Sequence, residues 1–252
     1  MMANFQNYSN YYDLLYKDKN YKEEADYVIK KIKKWIPENG QILELGSGSG
    51  SHAFHFCEAG FEVTGIDRSP DMVNVSKAKK IKGFTPIVGN ITSFKLPQKF
   101  DVALSLFHVV SYLTDNESLI KCFKTIHNHL KTNGVFLFDI WYSPAVYHQK
   151  PETRIKRLEN DKIQIIRLAE SKTESDKNIV AVNFEVLIKD KATHITEAIT
   201  EEHLMRHFSI PEIDILARFT GFEVILAEEF LTENNPSPDT WGVSILLKKY
   251  SR

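Results

Sequence analysis

Gln41-Ile42-Leu43-Glu44-Leu45-Gly46-Ser47-Gly48-Ser49-Gly50, with Gly65-Ile66-Asp67 following one strand-turn-helix-strand unit later, is the stretch that decides the fold. A largely apolar strand runs into a glycine-rich turn, and an acid stands at the tip of the next strand. Doubly wound α/β sheets build nucleoside pockets this way. The glycines are spaced Gly46-x-Gly48-x-Gly50 with Glu44 two residues upstream, whereas a dinucleotide fingerprint, G-x-G-x-x-G, brings pyrophosphate to a helix N-terminus. A nucleoside without phosphates fits this spacing better. Glycines let the main chain approach a ligand and take up positive φ, and Asp67 is placed to accept hydrogen bonds from both ribose hydroxyls.

Alternating units continue outward from this turn. Strands are expected at Ile42 to Leu45, Glu62 to Ile66, Thr85 to Val88, Phe100 to Ser105 and Val135 to Phe138, with helices at Ser51 to Ala59, Pro70 to Ala78 and Glu117 to Leu130. Several of these strands are short and apolar on both faces, as parallel strands covered by helices must be. Upstream, a tyrosine-rich arm precedes a helix whose apolar positions Ala25, Val28, Ile29, Ile32 and Ile36 recur at helical spacing up to Pro37. From Thr153 to Met205 the texture changes to strand-like stretches, Ile163 to Ala169 and Ile179 to Ile188 among them, which predicts an antiparallel insertion after the fifth strand. A helix at Pro211 to Phe219 and strands at Phe222 to Glu229 and Trp241 to Lys248 close the chain as a terminal hairpin. The expected division is an arm and helix over 1–40, a core over 41–145 and 208–252, and an inserted sheet over 146–207.

The 252 residues suffice for one large α/β domain with an elaboration. Hydrophobic residues make up 42% and charged residues 26%, the composition of a soluble globule with a buried core. With 32 basic against 33 acidic residues there is no global field to collect polyanions, so neither nucleic acid nor a membrane surface is an expected partner. Cys57 and Cys122 lack metal-type spacing and read as buried free thiols of a reducing compartment, and no metal site is visible. No secretory segment or apolar run of about 18 residues is seen. The expected location is the cytoplasm, and the inserted sheet offers an interface for a homodimer.

The glycine turn, Asp67 and the order of units resemble the class I S-adenosylmethionine-dependent methyltransferases. That resemblance implies a seven-stranded, Rossmann-like sheet and S-adenosylmethionine as the cofactor, with S-adenosylhomocysteine as its product. It implies that Gly46, Ser47 and Gly48 cradle the cofactor's amino-acid part, with Glu44 upstream, that Asp67 holds ribose and that Met72 packs on adenine. Asn90-Ile91 stands where the family often has an acid and an apolar residue at the adenine amino group. His52, directly after the turn, either caps the helix or touches the cofactor.

Tyr12-Asp13-Leu14, the run ending at His52, the segment Phe138-Asp139-Ile140-Trp141, the insert and the late run Glu201 to Ser209 resemble more closely the N-methyl- and N,N-dimethyltransferases of nucleotide-linked amino sugars. This implies a dTDP-type deoxyamino sugar as acceptor, with Tyr12 closing the cofactor pocket. The loop Leu106 to Leu113 then lies beside the sulfonium. Phe107 contacts the cofactor there, while His108 and Tyr112 are the candidate catalytic groups. Tyr16 belongs to a lid, Trp141 and Tyr142 form an apolar wall for a substrate ring, and His203 and Arg206 meet a diphosphate. Another small acceptor (a hydroxyl, a carboxylate or a small amine), a nicotinamide-dependent oxidoreductase and a silent nucleoside-binding subunit remain open alternatives.

Overall fold

The computed structural model of the chain describes residues 14–16 and 19–250. Helix α1 (Tyr21–Ile32) starts where the Asn20 side chain accepts the Glu23 N–H, carries Glu23 and Glu24 in its first turn and Lys30 and Lys31 in its last, and so complements its own dipole. Its buried stripe of Ala25, Val28 and Ile32 packs beside α2 (Ser51–Glu58). Helix α3 (Pro70–Ala78) opens on Pro70 with Ser69 as cap. Helix α4 (Asn116–His129) covers the other face of the sheet.

Strands β1 (Gln41–Leu45), β2 (Glu62–Asp67), β3 (Phe84–Val88), β4 (Phe100–Ser105) and β5 (Leu130–Tyr142) pair in parallel in the order β3-β2-β1-β4-β5. Two more strands extend this sheet antiparallel beside β5, after α6 (Ile210–Thr220): β11 (Gly242–Lys249) pairs with β5, and β10 (Phe222–Glu229) pairs with β11. Alternate residues of β5 feed opposite cores. Phe136 and Phe138 join Phe123 and Phe222 on one face, while Val135 and Leu137 meet Val28, Ile32 and Phe56 on the other. Each of these fully buried aromatic side chains contributes about 2 to 3 kcal/mol by burial.

The insertion is a four-stranded antiparallel meander, β6 (Arg154–Glu159), β7 (Ile163–Glu174), β8 (Ile179–Asp190) and β9 (Thr196–Phe208). Its last strand pairs in parallel with the end of β5 through Trp141 and Tyr142. The sheet therefore runs through eleven strands among the described residues, where seven were expected. The extra four come from this edge pairing, which joins the insert to the core sheet. Leu15, with Leu14 and Tyr16 beside it, packs against Ile165 and Val186 of the insert. Two short elements escape periodicity: a 3₁₀ turn at Val109–Tyr112 and α5 (Ser143–Gln149). Both are too short to show a helical repeat.

Candidate active site

The carboxyl ends of β1, β2, β4 and β5 open into one cavity of about 820 Å³, and one face of the insert forms its far wall. Ligands of doubly wound sheets bind at this edge, where the strand order reverses beside β1.

At its centre the Gly46 N–H donates to Ile66 O at 2.7 Å, and the Gly48 N–H donates to Asp67 Oδ2 at 2.8 Å. Asp67 Oδ1 accepts the Ser69 N–H at 2.8 Å. One carboxylate thus ties the glycine turn to the start of α3, and burial raises its pKa above the usual carboxylate range against the pull of these two donors. Gly46 has φ +70°, and a Cβ there would lie 2.5 Å from Val109 Cγ2. Gly48 has φ +52°, and nothing lies within 4 Å of its would-be Cβ. The first glycine is needed by the fold, while the second leaves open space on the cavity. Ser47 sits over Gly65, where a Cβ would come 2.5 Å from Ser47 Oγ.

Glu44 lies beneath the turn and outside the cavity wall, 2% exposed, with Oε2 lacking a hydrogen-bond partner. Burial, with the Asp67 charge beside it, pushes its pKa up to about 8. His52 Nε2 lies 2.7 Å from Glu24 Oε2, and Glu24 also pairs with Lys19. Burial lowers the His52 pKa, partly opposed by Glu24. His52 thereby links α1 to the turn, and its ring still borders the cavity.

Met72, Asn90 and Ile91 line the adjoining end. Asn90 Oδ1 accepts from the Thr92 N–H and hydroxyl at 2.9 and 2.8 Å, which leaves its NH₂ as the donor for a ligand. Phe107 and His108 have φ of +65° and +60°, two successive left-handed residues after β4. Such residues cost about 1 kcal/mol or more each and need a fixed partner. Asp139 of β5 is that partner: it accepts the His108 N–H at 3.0 Å, and its second oxygen lies 2.9 Å from His108 Nδ1. Burial works to raise the Asp139 carboxyl, but the His108 charge and hydrogen bonds hold it below its ordinary range. Tyr16 meets the Phe107 ring edge-on at 5.2 Å, and the Lys19 ammonium lies 4.1 Å from its centre.

Beside the insert the Tyr112 hydroxyl lies 2.8 Å from His203 Nδ1, and Trp141 lines the same cavity. Strand alternation separates the remaining candidates. Trp141 and His203 face the cavity, whereas Tyr142 packs into the core beyond. Arg206 lies on the opposite face of β9 from His203, held by Glu212 at 2.6 Å and Asn116 at 2.8 Å. Tyr12 lies outside the described residues.

Several groups that line the cavity or hold its lining residues from behind escaped the sequence reading. Asp139 announces itself only as a lone acid in an apolar strand, and Glu24 as one acid in a polar helix face. Arg154 and Arg167 line the cavity from β6 and β7, the latter with its guanidinium 5.1 Å from the Phe184 ring centre.

The donor set fits S-adenosylmethionine: an acid for ribose, open glycine backbone, a buried carboxyl under the turn with one oxygen lacking a hydrogen-bond partner, and an amide donor beside an apolar slot for adenine. Residues 42–134 match the family described as methyltransferase domain. Fold, site and domain together define an S-adenosylmethionine-dependent methyltransferase. The chain is similar to the Bacillus subtilis protein named "Putative methyltransferase YqeM", with 27% identity over 92% of each chain. It is also similar to the dTDP-3-amino-3,4,6-trideoxy-alpha-D-glucopyranose N,N-dimethyltransferase of Streptomyces venezuelae, at 28% identity over 56% of this chain and 60% of that relative. The crystal structure of an S-adenosylmethionine-dependent methyltransferase from Clostridium acetobutylicum shares the fold, with a TM-score of 0.82, 21% identity and coverage of 98% and 99% of the two chains. Among the described residues no group of three metal-binding side chains occurs, and no helix is long and apolar enough to cross a membrane.

Proposed function

We propose that this enzyme methylates the amino group of a nucleotide-linked deoxyamino sugar, of the dTDP type handled by the Streptomyces venezuelae relative. The observation that carries this reading is the pair Arg154 and Arg167 on the insert wall, in the same cavity as the glycine turn. Arg167 Nε is buried with no hydrogen-bond partner, its ring-stacked guanidinium held in place by Phe184. Paired guanidinium forks recognise the oxygens of a diphosphate. Glu152 at the rim and Arg68 beyond Asp67 add one charge of each sign, so the wall stays net basic.

When bound, S-adenosylmethionine supplies a methyl group activated by positive sulfur, and the protein has to present a lone pair in line with it and keep water out. In this reading Gly46, Ser47, Gly48, Asp67, Met72, Asn90, Ile91 and Phe107 hold the cofactor. Trp141 and Tyr16 wall in the sugar, the arginines orient it through its diphosphate, and His108 and Tyr112 face the amine.

The test is turnover of nucleotide-linked amino sugars followed by mass spectrometry, with wild type and Arg167→Met compared. A mass gain of one or two methyl groups is expected. The variant should raise KM for the nucleotide sugar about tenfold, the worth of one charge-assisted contact, without moving the affinity for S-adenosylhomocysteine. No methylation of any such sugar, with another small molecule gaining the methyl group instead, overturns the substrate assignment.

A further inference from the structure

Glu201, His203 and Tyr112 form one buried line across the acceptor end. The Tyr112 hydroxyl lies 2.8 Å from His203 Nδ1, and His203 Nε2 lies 3.0 Å from Glu201 Oε2. The side chains of His203 and Glu201 are only 5% and 8% exposed. Glu201 and His203 sit two residues apart on β9, so they share one face. The Phe184 ring, opposite Glu201 on β8, packs edge-on against the imidazole at 4.9 Å.

We infer that this line is a proton relay: Tyr112 takes the proton from the acceptor amine and hands its own to His203, which Glu201 orients. The inference rests on the amine reading above. A strut between the 3₁₀ turn and the insert would need only an acceptor for the Tyr112 hydroxyl. A carboxylate buried behind the imidazole is costly unless it has a task. It holds the ring with Nε2 protonated, which leaves Nδ1 to accept from the phenol. His207, four residues on, shows the alternative. It meets Ser143 Oγ at 2.8 Å, has no carboxylate behind it, leaves Nε2 unpartnered, and burial beside Arg206 lowers its pKa to about 4.

The balance is simple. The ammonium N–H bond breaks as its proton moves to the Tyr112 oxygen, and the phenolic proton moves to His203 Nδ1, giving an imidazolium beside the Glu201 carboxylate. The freed lone pair forms the N–C bond, and the methyl–sulfur bond breaks with its electron pair staying on sulfur. Burial raises the Tyr112 hydroxyl above its ordinary pKa, with Tyr16 and Glu201 acting in the same direction and Arg68 opposing them, so the phenol gives up its own proton only as it takes the amine's; Arg167 and His203 both contact the Phe184 ring.

The experiment measures kcat at saturating cofactor from about pH 6 to 10 for wild type, Tyr112→Phe and Glu201→Gln. A lost proton acceptor costs roughly a hundredfold. At neutral pH such a fall is expected for Tyr112→Phe, with a smaller one for Glu201→Gln and unchanged affinity for S-adenosylhomocysteine in both. The deficits should close as pH passes the pKa of the acceptor's own ammonium, because the amine then arrives without its proton. A deficit constant across pH, or none, overturns the relay. Nitrogen-15 spectra of His203 in the S-adenosylhomocysteine complex give an arm that needs no acceptor and no variant. The neutral Nε2–H tautomer is expected, and the Nδ1–H tautomer overturns the relay. If wild type methylates no amino sugar, the substrate reading fails on its own and the tautomer still decides the relay.

Discussion

His108 Nδ1 lies 2.9 Å from Asp139 Oδ2, while the His108 backbone N–H donates to Asp139 Oδ1 at 3.0 Å. One buried carboxylate in the middle of an apolar strand thus anchors both the main chain and the ring of a residue held at positive φ. The loop after β4 borrows its shape from β5, and the His108 ring lines the cavity.

Asp139→Asn should therefore destabilise the protein by about 2 to 3 kcal/mol at pH 7, since it removes a buried charged partner but keeps one accepting oxygen. The folded-state pKa of Asp139 is lowered. Its ionic contribution is accordingly full above the unfolded value, near 3.9, and fades as pH falls through the lower folded value. Denaturant titrations at pH 7 and at about pH 3 should show the gap between wild type and variant shrinking in acid. An equal gap at both would mean that the charge does not matter.

Gly46 and Gly48 look alike in sequence but should fail differently. Gly46→Ala drives a methyl into Val109 as well as straining the backbone, so a loss of several kcal/mol in folding stability is expected. Gly48→Ala meets open space, so folding should lose only about 1 kcal/mol. In the proposed reading the added methyl enters the space that the cofactor fills, and binding of S-adenosylhomocysteine should weaken by far more than that. Thermal melts paired with calorimetry separate the two, and equal effects on folding would refute the distinction.

The core strands and helices were legible because each carries its own period and punctuation: Pro70 and Phe222 fall at the edges the sequence implies. The glycine turn and Asp67 were legible for a similar reason, since the turn needs those residue types. The acceptor end was not. Which face of β9 meets the cavity depends on how Trp141 and Tyr142 register with His207 and Phe208. That register admits His203 and excludes Arg206, and the sequence carries no sign of it. Arg154 and Arg167 likewise come to line the same cavity as the glycine turn only through a fold-back of the whole insert. The partner of His108 lay 31 residues away, and no local pattern joins them.

Glu44 makes stability depend on pH across the neutral range. Its carboxyl is buried without a full set of partners, and its folded pKa of about 8 stands well above its ordinary value of 4.5. A raised carboxylate is bound to a proton in the folded state where the unfolded chain has lost it, so the protein is most stable below about pH 4.5 with respect to this group and loses that stability as pH rises toward 8. Glu44→Gln should remove the dependence. The variant is expected to melt higher than wild type at pH 8 by an amount worth a few kcal/mol, with the difference vanishing near pH 5. Cofactor binding adds a second reading. A cationic amino group arriving above the turn favours the ionised carboxyl, so S-adenosylhomocysteine should release protons at pH 7, detected as a binding enthalpy that varies with the ionisation heat of the buffer. The release should disappear in Glu44→Gln. If both proteins release the same number of protons, Glu44 does not sense the cofactor, and its burial serves the turn alone.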